Sequence, residues 1–439
     1  MASRAVYQPA GEVDVQPTPA RGAIVKSRWV ARLLTFLAVF GPGLIVMVAD
    51  NDAGAVSTYS QAGAQYGTHL LWLVFLLLPV TYFVQEMVVR LGVATGKGHA
   101  AMIYQRFGPW WGLFSLVDLE IVNFLTLVTE FACIDLALTK LGVDPRVGIP
   151  VVATGLILIA VTGSYRRWER TVVFLCLLDL AWFVIAWKMH PVAGEVTRAL
   201  LVPSMPLGGI TADLVFLVIA VVGTTIAPWQ LFFQQSCIAD KRLRFADIPW
   251  ARLDTFLGAC ITISVAACMM LAGNSSSLHG FHFTDPAQMA VDLGTITGGW
   301  VRNIILLMMI NAAVLGTTAI SLSSAWAYGE VKGWPHSLQL PFRKAAGFYA
   351  VYLVCVAAAA SVVLIPGAPL QLIILGVQVL AGVMLPSAII FLQLLLNDKE
   401  LLGGYANKRW NNVVNWTIII LLFALSLALA GQVLLPGTK

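Results

Sequence analysis

Charged residues are scarce in this chain. Of its 439 residues only 11% are Asp, Glu, Lys or Arg, whereas 59% are hydrophobic. A chain of this composition has too little polar surface to cover a water-soluble globule, which excludes the soluble classes of enzyme and binding protein. The length accommodates about eleven membrane-crossing helices of roughly 20 residues each. We therefore expect an all-α membrane protein whose main partner is the lipid bilayer.

Other absences narrow the function further. The six cysteines stand singly in apolar segments without any CxxC pair, which excludes a thiolate metal cluster. No HExxH, GxSxG or paired intramembrane Asp motif occurs, and no cleavable signal pattern precedes the first apolar run. We expect neither an enzyme nor a resident cofactor nor an obligatory protein partner. The net charge of +5 comes mainly from loop Lys and Arg, so no nucleic-acid partner is expected.

Eleven apolar runs predict membrane spans, numbered here from span 1 to span 11. They cover residues 33–62, 69–92, 111–139, 148–163, 171–189, 211–236, 253–273, 299–327, 346–364, 369–397 and 413–434. The polar, proline-containing residues 1–30 predict a disordered tail, and residues 31–439 predict a single transmembrane domain.

Loop charge predicts the orientation. Lys and Arg follow every even-numbered span up to span 10, whereas the loop at 274–298 and the loop around Pro366 contain neither. Cytoplasmic loops of membrane proteins are enriched in Lys and Arg. We expect a cytoplasmic N-terminus and an extracellular C-terminus in a plasma or inner membrane.

Two spans contain helix-breaking residues near their middles. Span 1 contains Asp52 and Gly54, and a carboxylate at membrane depth usually faces an ion or substrate path. Span 6 contains Gly223 and Pro228, which weaken the helix at the corresponding point. Equivalent breaks in two five-span halves predict an inverted-repeat fold of the LeuT-like kind, with a site between the halves. The halves cover about 33–189 and 211–397, span 11 is additional, and the alternative is two packing kinks.

Several motifs resemble the Nramp divalent-metal transporters. Asp52-Ala53-Gly54-Ala55, followed by Gln61-Ala62-Gly63-Ala64, is similar to the family's Asp-Pro-Gly-Asn and Gln-Ala-Gly-Ala. The stretches from Gln85 to Lys97 and from Leu385 to Ile389 resemble the ends of the family's second and tenth helices. The resemblance covers most of residues 35–430.

The resemblance implies a metal site that has lost ligands. The family's Asp remains as Asp52, its Asn becomes Ala55 and its Met becomes Ala227, while Thr224 supplies the backbone carbonyl and Gln378 the glutamine. The residues that would line the cavity or transport path are Ala53, Gly54, Gly223, Pro228, Trp229, Glu130 and Gln234. A thioether favours softer transition metals, whereas carboxylates, carbonyls and water suit Mg²⁺ and Mn²⁺. Because Mg²⁺ sheds water reluctantly, the space at the two alanines favours a partly hydrated ion.

The resemblance also implies weakened proton coupling. Two family histidines in span 6 are replaced by Trp229 and Gln234, neither of which titrates near neutral pH. Of an acidic pair in span 3 only Glu130 remains, because the other position is Leu127. This combination resembles the Nramp-related magnesium transporters. We expect uptake of Mg²⁺, and also of Mn²⁺, without protons.

Three alternatives remain open at this stage. The first is a proton-coupled Mn²⁺/Fe²⁺ transporter of the ordinary Nramp type. The second is an amino-acid carrier of the same fold, although Asp52 would repel its carboxylate. The third concerns Asp50, which lies two residues before Asp52. Asp50 has either a structural role or a position in an outer vestibule of the transport path.

Overall fold

All regular secondary structure in the described part of the chain is α-helix or 3₁₀ helix, and no strand occurs there. The structure is a computed structural model that describes residues 28–161, 163–206, 208–365 and 367–434. Two units are distinguished, residues 1–38 and residues 39–439. The first unit is described only over helix α1 (Arg28–Val39), whose last residue belongs to the second unit. Most of the predicted disordered tail, residues 1–27, lies outside the described residues, and its last three residues begin α1.

The second unit contains the helices of the predicted spans and several shorter ones. In chain order they are α2 (Pro42–Ala49), α3 (Ala53–Tyr66), α4 (Leu71–Thr95), α5 (His99–Phe107), α6 (Pro109–Leu141), α7 (Pro145–Ala160), α8 (Tyr165–Leu178), α9 (Ala181–Lys188), α10 (Ala193–Leu201), α11 (Ala212–Thr225), α12 (Pro228–Lys241), α13 (Ile248–Leu278), α14 (Pro286–Thr297), α15 (Gly299–Lys332), α16 (Ala346–Val363), α17 (Leu370–Leu396), α18 (Lys399–Leu402) and α19 (Arg409–Leu434).

All eleven predicted spans are present as helices. Within the described residues, nine helical segments are long and apolar enough to cross a membrane, and they correspond to spans 2, 3 and 5 to 11. Span 1 consists of α2 and α3, and span 4 is the shorter apolar helix α7. The all-α membrane fold with about eleven spans is therefore confirmed. Successive spans run in opposite directions. We call the face at which the even-numbered spans up to span 10 end, each followed by Lys or Arg, the basic face, and the opposite one the far face.

The predicted breaks are at the expected places. Span 1 is interrupted between α2 and α3 at residues 50–52, and span 6 between α11 and α12 at residues 226–227. A third interruption, at Asp179 and Leu180 between α8 and α9, was not predicted. Because Asp179 is buried and accepts a hydrogen bond from Asn311 Nδ2 at 2.8 Å, this interruption is stabilised by a polar contact between spans 5 and 8.

Small residues allow the broken spans to pack closely against their neighbours. A side chain at Gly63 of α3 would collide with the backbone of Met270 in α13, and one at Gly273 of α13 would collide with the carbonyl of Ser60. Span 6 approaches span 10 in the same way, at Gly223 and Gly382. Close backbone approach at glycine is a common way for membrane helices to associate, since lipid provides little hydrophobic drive between helices.

The start of α2 is fixed at the basic face by two side chains. Asp254 of α13 accepts hydrogen bonds from the backbone N–H groups of Gly41, Gly43 and Leu44 at 3.2, 2.7 and 3.2 Å. Lys241, at the end of α12, donates to the carbonyls of residues 39 and 40 at 3.1 and 2.7 Å and pairs with Glu169 of α8 at 2.6 Å. These contacts satisfy backbone groups that a helix end leaves unpaired, and they connect both broken spans to spans 5 and 7.

Candidate metal site

The break in span 1 places a carboxylate at the start of a helix. Asp52 has extended backbone angles and caps α3, where its Oδ1 accepts a hydrogen bond from the backbone N–H of Ala55 at 2.9 Å. Asp is a favoured capping residue because its side chain satisfies an N–H group at the helix start. Ala53, Gly54 and Ala55 therefore form the first turn of α3, and the capping contact fixes the orientation of Asp52.

Glu130 of α6 lies beside Asp52. Its Oε2 accepts a hydrogen bond from the backbone N–H of Ala53 at 3.1 Å. Gly316 of α15 contacts both acids, because a Cβ atom there would lie 2.8 Å from Glu130 Cδ and 2.9 Å from Asp52 Cβ. Spans 1, 3 and 8 thus meet at a pair of carboxylates.

These buried acids have no basic partner. Asp50, Asp52 and Glu130 are at most 3% exposed, and none of the ion pairs in the described part of the chain includes them. An uncompensated charge at membrane depth is costly. The three groups therefore require protons or an external cation, which is the property expected of a cation path.

The break in span 6 exposes a backbone carbonyl. In a continuous helix the N–H of residue 228 would donate to the carbonyl of Thr224, but Pro228 has no N–H and begins the new helix α12. Ile226 and Ala227 have extended backbone angles between the two helices. The Thr224 hydroxyl is also buried without a hydrogen-bond partner. Thr224 thus supplies oxygen atoms that are free to bind a ligand.

Gln378 of α17 connects the two breaks. Its side-chain amide lies against Gly54, where an added Cβ would overlap it, and its backbone carbonyl lies against Gly223 in the same way. Gln378 Nε2 is buried without a hydrogen-bond partner. The hydroxyls of Tyr59 and Thr225 are 2.7 Å apart and join α3 to α11. Gln378 therefore contacts span 1 at Gly54 and span 6 at Gly223, so the two breaks lie on either side of its side chain and backbone.

Three span 6 residues have other surroundings. Ala227 caps α12 with its backbone only and is 4% exposed. Trp229 is fully buried and packs edge-on against Phe233, with ring centroids 6.2 Å apart. Gln234 Nε2 donates to Thr255 Oγ1 of α13 at 3.0 Å. Trp229 and Gln234 thus make packing and interhelical contacts at the positions where the resemblance places histidines.

Sequence reasoning missed the partners of Asp50. Its Oδ1 accepts a hydrogen bond from Nε2 of Gln230, which is in the first turn of α12, and Gln230 Oε1 accepts one from Gln85 Nε2 of α4 at 2.8 Å. Asp50 therefore contacts the half of span 6 that leads to the basic face, and not an outer vestibule. An amide two residues after the helix-breaking proline was the available signal.

A cavity opens on the other side of the site. It has a volume of about 540 Å³ and lies between α3, α11 and α17, the helices that contribute Asp52, Thr224 and Gln378. Its polar lining residues are Gln61, Gln65, Tyr66 and Asp213. Gln371 joins the two neighbouring helices there, because it accepts from Ser57 Oγ at 2.9 Å and donates to Gln61 at 3.0 Å. The cavity thus lies in the far-face half of the bundle, and none of Asp52, Thr224 and Gln378 lines it.

The donor atoms define the kind of ion that fits. Among the described residues, no group of three or more His, Cys, Asp or Glu side chains is arranged to hold a metal. The oxygen-bearing groups at the two breaks are the Asp52 carboxylate, the Thr224 carbonyl and hydroxyl, and the Gln378 amide, whose Nε2 is the atom closest to Gly54. Oxygen donors without sulfur or imidazole suit hard divalent cations that keep part of their water.

Comparisons with known proteins agree with this architecture. The family model for Nramp, natural resistance-associated macrophage protein-like, matches residues 43–432. The chain is 25% identical over 423 residues to a divalent metal cation transporter, MntH, of Staphylococcus aureus, which covers 90% of this chain and 91% of the relative.

Solved structures show the same fold. The manganese transporter of Eremococcus coleocola, in complex with an aromatic bis-isothiourea substituted compound, superimposes with a TM-score of 0.73 at 17% identity, over 93% of this chain and 90% of that chain. The nucleobase-cation-symport-1 family transporter Mhp1 superimposes with a TM-score of 0.50 at 13% identity, over 90% and 91% of the two chains.

An all-helical bundle with breaks in spans 1 and 6 around a buried carboxylate defines a secondary transporter of the LeuT-like fold. The chain belongs to the Nramp family of divalent-metal transporters. It is an integral membrane protein, and its family is one of transporters and not of enzymes.

Proposed function

We propose that this protein takes up partly hydrated Mg²⁺, and also Mn²⁺, without coupling to protons, as the Nramp-related magnesium transporters do. The supporting observation is the donor set at the two breaks. Asp52, Thr224 and Gln378 offer oxygen ligands, whereas Ala55 and Ala227 offer no side-chain ligand at all.

Selectivity follows from the missing side chains. Without a sulfur ligand at Ala227, the site gives a soft metal no advantage over a hard one. The methyl groups of Ala55 and Ala227 leave room for water that Mg²⁺ retains. Mn²⁺ also accepts oxygen ligands, and the similarity to named manganese and divalent-metal transporters supports its transport here. We expect Ca²⁺ to be a poorer substrate.

The absence of proton coupling is inferred from the surroundings of Glu130. Trp229 and Gln234 do not titrate near neutral pH, and Leu127 cannot accept a proton. Glu130 remains beside Asp52, but it accepts a hydrogen bond from the backbone N–H of Ala53, which gives it a structural task at the break.

Loop charge gives the orientation of the protein, and the membrane potential then gives the direction of ion flow. We place the basic face in the cytoplasm and the far-face cavity outside, with the N-terminus inside and the C-terminus outside the plasma or inner membrane. An inside-negative potential contributes about 2.3 kcal/mol per elementary charge per 100 mV, hence about 4.6 kcal/mol for a divalent cation. Uptake then needs no proton gradient.

The experiment is ion influx into proteoliposomes that contain the purified protein, with internal Mg²⁺ and internal pH recorded together. Saturable Mg²⁺ entry without acidification is the expected result, with protein-free liposomes as the control. Mn²⁺ serves as the comparison ion, and an imposed membrane potential should change the initial rate.

A proton-coupled Mn²⁺ transporter is the second candidate, and the retained Glu130 next to Asp52 favours it. Entry of Mn²⁺ alone together with protons would establish that function and refute the proposal. An amino-acid carrier is disfavoured, because buried Asp52 would repel the substrate carboxylate at the break.

A further inference from the structure

We propose a second subsite for the transported divalent cation, formed by Asp50 together with the side-chain oxygens of Asn51 and Gln85. The cation would occupy it after leaving Asp52 and before release at the basic face. This inference rests on the proposed function and adds a transit position to it.

Only one of the two carboxylate oxygens of Asp50 accepts a hydrogen bond. Asp50 is 1% exposed and sits between the two halves of span 1. Gln230 donates to its Oδ1, and Gln85 in turn donates to Gln230. This chain of amide donors leads to the carboxylate and orients it, and donation to an ionised oxygen forms a comparatively strong hydrogen bond.

The remaining oxygens around Asp50 have no donor. Asp50 Oδ2, Asn51 Oδ1 and Gln85 Oε1 are all buried without a hydrogen-bond partner, as is Asn51 Nδ2. Gln85 is joined to Asp50 through Gln230. Buried polar atoms are nearly always satisfied, so three unsatisfied oxygens on two adjacent residues and their neighbour require an explanation. Carboxylate and amide oxygens are the ligands that Mg²⁺ and Mn²⁺ prefer, and a partly hydrated ion would satisfy all three.

The position of Asp50 along the path follows from the helices. Asp50 ends α2, which begins at the basic face, and its partner Gln230 is in α12, which ends at that face. Asp52 begins α3, which leads to the far face, where the cavity opens. An ion that moves from Asp52 to Asp50 therefore advances from the far-face half of the bundle toward the basic-face half.

Charge also favours such a second position. Asp50 and Asp52 are separated by one residue in the break, and no basic side chain of the described residues pairs with either. With a second carboxylate nearby, a divalent cation that leaves Asp52 still has a negative charge beside it at Asp50. Successive weak sites are a general requirement for rapid passage of an ion.

The competing explanation is that Asp50 is a neutral acid with a packing role. Asp50→Asn separates the two, because Asn keeps the oxygen that accepts from Gln230 and removes only the charge. Asp50→Glu keeps the charge and serves as the second variant. Asp179→Asn is a matched control, since Asp179 is also fully buried, accepts an amide hydrogen bond and has an unpartnered oxygen, but lies in the interruption of span 5.

The measurement is the dependence of initial influx rate on external Mg²⁺, with Mn²⁺ as a second probe, in proteoliposomes with equal amounts of folded protein. For Asp50→Asn we expect the maximal rate to fall about tenfold with KM changed by less than about threefold, because capture at Asp52 is intact while onward transfer is slow. Asp50→Glu should retain most of the rate, and Asp179→Asn should behave as the wild type.

The outcomes distinguish this inference from the proposed function. Wild-type kinetics in Asp50→Asn would refute the subsite while Mg²⁺ uptake stood. An equal loss in Asp50→Asn and Asp179→Asn would assign the effect to packing and also refute it. If the wild-type protein carried Mn²⁺ but no Mg²⁺, the proposed selectivity would fail, and the same variants assayed with Mn²⁺ would still test Asp50.

Discussion

Adding one methyl group at Gly316 should disable the site without disturbing the helix. Gly316 lies within α15, and alanine is a better helix former than glycine there. An added Cβ would lie 2.8 Å from Glu130 Cδ and 2.9 Å from Asp52 Cβ. Ordinary contacts of a Cβ atom begin at about 3.4 Å, so both acids must move by roughly half an ångström.

The size of the effect follows from the cost of overpacking. Inserting a methyl group into a closely packed position costs typically about 1–3 kcal/mol. Neither acid moves freely, because Asp52 is fixed by Ala55 and Glu130 by Ala53. Ion binding requires the acids to return to their original positions, so the cost falls on the ion-bound state. Since about 1.4 kcal/mol corresponds to a factor of ten in affinity, KM for Mg²⁺ should rise roughly 5- to 140-fold in Gly316→Ala.

Concentration-dependent Mg²⁺ influx in proteoliposomes measures this change. Gly376→Ala is the matched control, because Gly376 lies in the transmembrane helix α17 and an added Cβ there meets no atom within 4 Å. Its KM should equal that of the wild type. An unchanged KM in Gly316→Ala would refute the placement of Asp52 at the ion.

Three further predictions test separate parts of the structure. Asp52→Ala should abolish Mg²⁺ and Mn²⁺ influx at normal expression, and full activity would refute the site. Ala227→Met should raise uptake of softer ions such as Cd²⁺ relative to Mg²⁺ without restoring proton flux; loss of Mg²⁺ uptake with no gain for Cd²⁺ would contradict the selectivity argument. Burial lowers the pKa of the His99 imidazole to about 4. Between about pH 6.5 and pH 4 this imidazole is therefore protonated in the unfolded state but neutral in the folded state. Up to about 3 kcal/mol of folding stability is lost as the pH falls across this range. Thermal unfolding of detergent-solubilised protein should therefore be less pH-dependent in His99→Gln, and identical pH profiles would contradict this.

The spans and their breaks were predictable because they depend on local chemistry. In lipid every backbone group must be satisfied within a helix, so hydropathy alone locates the spans. Asp52 and Pro228 identify the breaks because one is a capping residue with a costly charge and the other lacks an N–H. The interruption at Asp179 was not predicted, because neither glycine nor proline marks it and its stabilising partner, Asn311, is in a distant span.

The contacts at the site depended on the tertiary structure. The residues of the predicted site were named from the resemblance, but the sequence did not indicate that Gln378 lies against Gly54, that Glu130 bonds to the backbone of Ala53, or that Gln230 bonds to Asp50. Each of these contacts depends on the rotation and height of two helices far apart in the chain.

The sequence by itself determined the number of spans and the two predicted breaks, because hydropathy and helix breaking are properties of single residues and their neighbours. Only the tertiary structure decided which face of each span meets another, and with it the pairing of Asp52 with Glu130 and of Asp50 with Gln230. Close packing at Gly316, which lies against both Asp52 and Glu130, acts between helices and leaves no periodic pattern in the chain.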